Sequence, residues 1–135
     1  MQLEKLLGRT VLQVLANPEK DTFRFVTDLG NFDYYCYGDC CSESWVNHIS
    51  DIDALIGQKV LNIEEIDMYG LLGAEPEPTR QDVDDVLFHR IQTTKGVCVI
   101  EFRNSSNGYY GGSFEEEEEH DQIDDTVLTP ITEDF

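Results

Sequence analysis

Apolar residues recur along this chain in short blocks of two kinds. Leu3, Leu6 and Leu7 stand at helical spacing before Gly8, and Val11, Leu12, Val14 and Leu15 follow as a run suited to a buried strand. Residues 22–27 alternate, with Phe23 and Phe25 on one face and Arg24 on the other. They turn at Asp28-Leu29-Gly30-Asn31 and return through residues 32–37, which predicts a hairpin. Residues 86–93 and 97–102, joined by Thr94-Lys95-Gly96, predict a second. Between the hairpins, Ser42 or Ser44 offers an N-cap, and Trp45, Val46, Ile49 and Leu55 supply the apolar side of a predicted helix.

The blocks repeat. Leu6-Leu7-Gly8-Arg9-Thr10-Val11-Leu12-Gln13-Val14 matches Leu55-Ile56-Gly57-Gln58-Lys59-Val60-Leu61-Asn62-Ile63 in its apolar positions and its glycine. Aligning Gly30 with Gly96 pairs Arg24 with Arg90 and Thr27 with Thr93. A weak internal duplication follows, each half a helical turn, a strand and a hairpin. The extra length of the second half lies in residues 68–82, a stretch with Gly70, Gly73, Pro76 and Pro78 that reads as an inserted loop. The expected class is therefore α+β: an antiparallel sheet of two hairpin-containing halves with short helices, followed by an acidic tail. Residues 1–114 form the single domain of this reading, and residues 115–135 a flexible tail in which Val127, Leu128, Ile131 and Phe135 are available to dock.

Charge sharpens the picture. The formal net charge is -19, from 28 acidic and 9 basic residues, and no Lys or Arg follows Arg103. Such a surface repels nucleic-acid backbones and anionic membranes, which excludes ordinary binding to a nucleic-acid polymer. No apolar run approaches the roughly 20 residues of a membrane span, and the N-terminal stretch lacks the pattern of a secretory signal. A cytoplasmic location is expected.

Catalytic and metal chemistry find little support. Cys36, Cys40, Cys41 and Cys98 include no C-x-x-C knuckle, and adjacent Cys40 and Cys41 are expected to point apart, so reduced thiols are the reading and zinc is not. His48, His89 and His120 fall on a predicted helix, a strand and the tail, and none is placed beside a thiol. Asp82, Asp84 and Asp85 read as a surface cluster. No phosphate-binding loop, dinucleotide fingerprint or metalloprotease motif is present. No enzyme activity, metal or cofactor is expected.

Binding chemistry has better candidates. Arg24, Arg90 and Arg103 lie in or beside hairpin strands, where a rigid frame can aim a guanidinium at a phosphate. Arg103 opens the polar loop Asn104-Ser105-Ser106-Asn107-Gly108-Tyr109-Tyr110, whose amides can meet a ribose or base edge and whose tyrosines can stack. The competing expectation is that each arginine pairs across the sheet with an acid such as Asp33 or Glu101.

Two strings, Gly38-Asp39-Cys40-Cys41-Ser42-Glu43-Ser44-Trp45 and Phe102-Arg103-Asn104-Ser105-Ser106-Asn107-Gly108-Tyr109-Tyr110-Gly111-Gly112, resemble a family of small bacteriophage proteins. The region from Leu6 to Gly112 is similar to the Thoeris anti-defence sponge proteins, which sequester cyclic ADP-ribose isomers, and in some cases cyclic oligonucleotides, without cleaving them. The resemblance implies a homo-oligomer with ligand pockets between subunits. It places ligand contacts at Arg103, Asn104, Asn107 and Tyr109, to which the duplication adds Arg24 and Arg90. The alternative is an acidic DNA mimic, or a protein-interaction inhibitor of a host defence enzyme, acting through its carboxylates.

Overall fold

The computed structural model describes residues 2–67, 76–108, 110–118 and 123–135. It contains two antiparallel sheets packed face to face. Strands β1 (Thr10–Ala16), β2 (Thr22–Thr27), β3 (Gly30–Gly38), β4 (Glu43–Ser50), β5 (Gln58–Lys59), β6 (Asn62–Asp67), β7 (Val83–Gln92), β8 (Val97–Ser106), β9 (Gly112–Glu117) and β10 (Thr129–Pro130) follow one another along the chain. The first sheet has the order β10-β1-β2-β3-β9, with β5 also paired to β1, and the second β4-β8-β7-β6.

The α+β expectation is thereby corrected to an all-β class. Among the described residues the only helical pieces are single 3-10 turns, at Gln2–Leu6, Ile52–Ala54 and Asp125–Val127. The helix expected after Ser42 is strand β4. Its apolar spacing misleads because the strand bulges between Val46 and His48: Val46 pairs with Phe102, His48 with Glu101 and Ile49 with Ile100. The extra residue turns a two-residue repeat into a three-residue one, so Val46 and Ile49 both reach the core as they would on a helix. A similar irregularity in β1, between Val11 and Gln13, puts Val11 and Val14 on one face.

The two halves are joined symmetrically. A shift of 49 residues carries Gly8 onto Gly57 and Val11 onto Val60, and the bonds obey it: Gly8 N donates to Val60 O at 2.9 Å, Gly57 N to Val11 O at 2.6 Å. Both glycines have left-handed φ, 78° and 79°. The hairpin turns also agree, since Leu29 N donates to Thr27 Oγ1 and Lys95 N to Thr93 Oγ1. After its hairpin, each half sends a further strand to the other half's sheet. Chain leaving β3 becomes β4 and pairs with β8, while chain leaving β8 becomes β9 and pairs with β3.

The core fills the space between the sheets. Phe23, Phe25 and Tyr34 of the first meet Ile91, Ile100 and Phe102 of the second, and Phe114 of β9 touches Phe23, Tyr34 and Phe102. The boundary expected between residues 114 and 115 falls inside β9, whose Glu115, Glu116 and Glu117 pair with Tyr35, Tyr34 and Asp33. Near the C-terminal end, Ile131 is buried, its N bonded to Val14 O, and Asp134 accepts from the backbone N of Asp51 and Ile52. No helix among the described residues is long and apolar enough to cross a membrane.

Candidate functional site

The two strings singled out in the sequence are the two crossovers, and they meet each other. Gly38 pairs with Gly112 between β3 and β9, and Ser44 with Asn104 between β4 and β8. Asn104 is almost fully buried and donates through Nδ2 to Ser44 Oγ at 2.8 Å. Asp39 N donates to Gly111 O at 2.9 Å, and Ser42 Oγ donates to Asp39 O at 2.9 Å. A methyl group on Gly112 would collide with Ser44 Oγ and lie 2.5 Å from both Asn104 Nδ2 and the Tyr37 carbonyl oxygen. Close packing where the strands change sheets thus accounts for the glycines and small polar residues of both strings. Asn107 is exposed just beyond β8, and Tyr109 lies outside the described residues.

The arginines do not converge. Arg24 is buried on the outer side of the first sheet, its Nε and Nη2 donating to Asp33 at 2.7 and 2.9 Å while Nη1 meets Asp125 at 2.8 Å. The hydrogen bond to Asp33 raises the Arg24 pKa further, against the opposing effect of burial. Arg103 lies on the second sheet, where Nε donates to Glu101 at 3.1 Å and Nη1 to Asp84 at 2.8 Å and to the Glu77 carbonyl at 3.0 Å. Burial alone would raise the Asp84 carboxyl, but hydrogen bonds from Ser105, Thr79 and Arg103 more than offset it and hold that group below the usual carboxylate range. Arg90 is half-exposed and pairs with Glu64 at 3.6 Å. It edges a groove of about 350 Å³ whose other walls are Ile66, Phe88 and Val99.

Segment 76–82 covers another part of the second sheet's outer face. Thr79 donates to Asp84 from N and Oγ1, Gln81 N donates to Ser105 Oγ at 2.8 Å, and Gln81 Nε2 donates to the Cys41 carbonyl at 3.0 Å. Arg80 lies with its guanidinium carbon 3.6 Å from the ring centroid of Trp45, which is thereby nearly buried. The sequence does not single out this pairing, because Arg80 and Trp45 are 35 residues apart and come together only across the sheet.

Among the described residues the histidines and cysteines divide into buried, half-buried and exposed groups. His89 is buried against Phe114, and burial drives its pKa down to about 4. Burial also pushes the thiols of Cys36 and Cys98 up, the latter to about 12. Cys40 and Cys41 are exposed and, against expectation, face each other with their sulfurs 3.0 Å apart. Among the described residues no group of three or more His, Cys, Asp and Glu side chains is arranged to hold a metal ion. A second cleft, of about 380 Å³, is bordered by Asp51, Asp53, Asp134 and Lys95, but Asp134 is engaged in the backbone bonds described above.

The outer side of β3 and β9 is different in kind. Tyr35 stands opposite Glu115 and Tyr37 opposite Ser113, with Asp33 and Glu117 next along the ladder. The two tyrosine rings lie 6.4 Å apart, edge to face. Partial burial first, then the charges of Glu115 and Glu117, raise the Tyr35 phenol, while a hydrogen bond with Asp39 raises that of Tyr37. These strands therefore present an acidic face with two aromatic rings.

Residues 4–115 match the profile of a domain of unknown function, DUF7448. The chain belongs to the DUF7448 family. The matched span includes both hairpins and both crossovers and ends within β9. The chain is also 38% identical over 84 residues to the uncharacterized protein L278 of Acanthamoeba polyphaga mimivirus, a match covering 57% of this chain and 60% of that protein. No solved structure matches this member of the DUF7448 family.

Proposed function

We propose that this protein is a non-catalytic binding protein, an acidic decoy or interaction inhibitor that occupies the basic surface of another protein. The observation that carries this reading is the outer side of β3 and β9, where Tyr35 and Tyr37 stand beside Asp39, Glu115 and Glu117. Tyrosines supply contact area at small entropic cost, and carboxylates on a rigid sheet complement the lysines and arginines of a DNA-binding groove. The disposition of the cations supports it. Lys5, Arg24, Arg90 and Arg103 are ion-paired within the molecule, while Arg80 and Lys20 lie over Trp45 and Phe135. Among the described residues four of the nine basic side chains are thus paired with acids within the molecule. The mimivirus relative, itself uncharacterized, fits a viral setting for this reading.

Capture of a small nucleotide-derived signal, such as a cyclic ADP-ribose isomer or a cyclic oligonucleotide, is the second reading. One observation favours it: Arg90 borders the apolar groove over Phe88, and its pairing with Glu64 is the longest of the arginine ion pairs. Arg24 and Arg103 contribute less to this reading, since each would have to break buried ion pairs to reach a phosphate. In this reading a base would lie on Phe88 with a phosphate at Arg90, in an oligomer of the chain.

A displacement assay separates the two. The protein is titrated into a DNA-binding endonuclease loaded with fluorescent duplex, and in parallel mixed with cyclic nucleotides and examined by native mass spectrometry. Release of the duplex with no retained nucleotide supports the decoy. An intact nucleotide retained by an oligomer, and lost on Arg90→Ala, replaces it with capture.

A further inference from the structure

Beyond any binding role, the chemistry of the first crossover points to a modification site. Cys40 and Cys41 are consecutive, both exposed, and their sulfurs are 3.0 Å apart. The carbonyl of Cys41 accepts the hydrogen bond from Gln81 Nε2, and the neighbouring residue, Arg80, lies over Trp45. We propose that Cys40 and Cys41 are a reversible two-electron redox site that closes to a vicinal disulfide and, in closing, loosens segment 76–82 from Trp45.

The oxidant is a low-molecular-weight disulfide. One cysteine thiolate attacks it, forming a mixed disulfide and expelling one thiol. The second cysteine then attacks the mixed disulfide, forming the Cys40–Cys41 bond and expelling the other. Two protein thiols lose their protons and two electrons in total, and the oxidant leaves as two reduced thiols. Because the thiolate is the nucleophile and the hydrogen bond with Cys40 raises the Cys41 thiol, closure quickens as pH rises. Cys98 is buried and Cys36 half-buried, and burial raises both thiols, so both are poorer nucleophiles for the oxidant.

Geometry makes the bond a switch rather than a staple. Consecutive Cα atoms are about 3.8 Å apart across a trans peptide, whereas an ordinary disulfide sets them about 4.4 to 6.8 Å apart. The eight-membered ring is therefore strained and easily reduced. Relieving that strain requires rotation of the backbone at residues 40 and 41, which turns the Cys41 carbonyl away from Gln81. Arg80 then loses one of the anchors that hold it on the indole.

The test uses the full chain in buffers of graded reduced and oxidised glutathione, with rapid alkylation and peptide mass analysis. The expected result is loss of two alkylation sites and of the mass of two hydrogen atoms from the peptide bearing residues 40 and 41. It should be retained in Cys36→Ala and absent in Cys40→Ser and in Cys41→Ser, which instead take up one glutathione. Emission from Trp45, the single tryptophan, should change in parallel and revert on reduction. Glutathione on both cysteines without ring closure overturns the redox site. Closure with unchanged Trp45 emission overturns the coupling to segment 76–82.

Discussion

Gly112 lies where β9 enters the sheet of the other half, and the space for a side chain there is already occupied by Ser44, Asn104 and the backbone of Tyr37. Gly111, one residue earlier, has open space around it and no left-handed φ. Gly112→Ala is therefore expected to destabilise the protein by about 2 kcal/mol or more, and Gly111→Ala by less than about 0.5 kcal/mol. Urea unfolding of the two variants measures the difference. Arg24 is tested in the same way. Its removal leaves the buried Asp33 carboxylate without its bidentate partner, so Arg24→Ala is expected to cost roughly 3 kcal/mol or more. Replacing both residues, as Arg24→Met with Asp33→Leu, should recover most of that loss. Recovery identifies the pair as structural, and a lack of it would show that the arginine has another task. Pairing of each arginine with an acid across the sheet was one of the two expectations the sequence allowed, and Arg24 meets it with Asp33 and Arg103 with Asp84. Distinguishing it from ligand binding required knowing that each acid stands within hydrogen-bond reach, which no spacing along the chain contains.

At the scale of elements, the hairpins and the glycine turns were legible because they depend on local chemistry. Thr27 with Gly30 and Thr93 with Gly96 build similar turns, and the side-chain alternation around them is regular. Strand β4 was not legible, because a bulge at its centre gives Val46 and Ile49 the spacing of a helix. The polar end of β8 was read as a loop for a related reason. Asn104, Ser105 and Ser106 carry no apolar signal, yet they are buried, and Asn104 and Ser105 bond to Ser44 and to the backbone of Gln81. Crossing of β4 and β9 between the halves is a non-local pairing that a one-dimensional repeat does not announce.

Packing between β7 and β9 also sets a pH dependence. His89 is buried against Phe114 with its pKa lowered to about 4, whereas an unfolded histidine titrates near 6.5. Between those values the unfolded chain binds a proton that the folded chain does not, so stability falls as pH drops from about 6.5 towards 4 and does not depend on this group above 6.5. The loss approaches roughly 3 kcal/mol at the lower limit. Denaturant midpoints measured across that range should show it, and His89→Phe should remove most of the slope. A wild-type midpoint that is flat from pH 6.5 to 4.5 would contradict the assignment.

For the whole molecule, the -19 charge is the property most easily read from sequence and the least informative about mechanism until the sheets place it. The fold pairs four of its nine basic side chains with acids and lays an aromatic and acidic ladder along β3 and β9. Bulk charge alone predicts weak attraction to any basic protein, screened over about 8 Å at physiological salt. A specific decoy requires that one face dominate. The direct measurement is the affinity for a DNA-binding endonuclease of the double variant Glu115→Gln with Glu117→Gln, against a control, Glu19→Gln with Glu65→Gln, that removes the same charge from exposed positions elsewhere. The account predicts roughly a tenfold or greater loss for the first pair and less than about twofold for the second. Equal losses for the two pairs, or no binding by the unaltered protein at low salt, would contradict it.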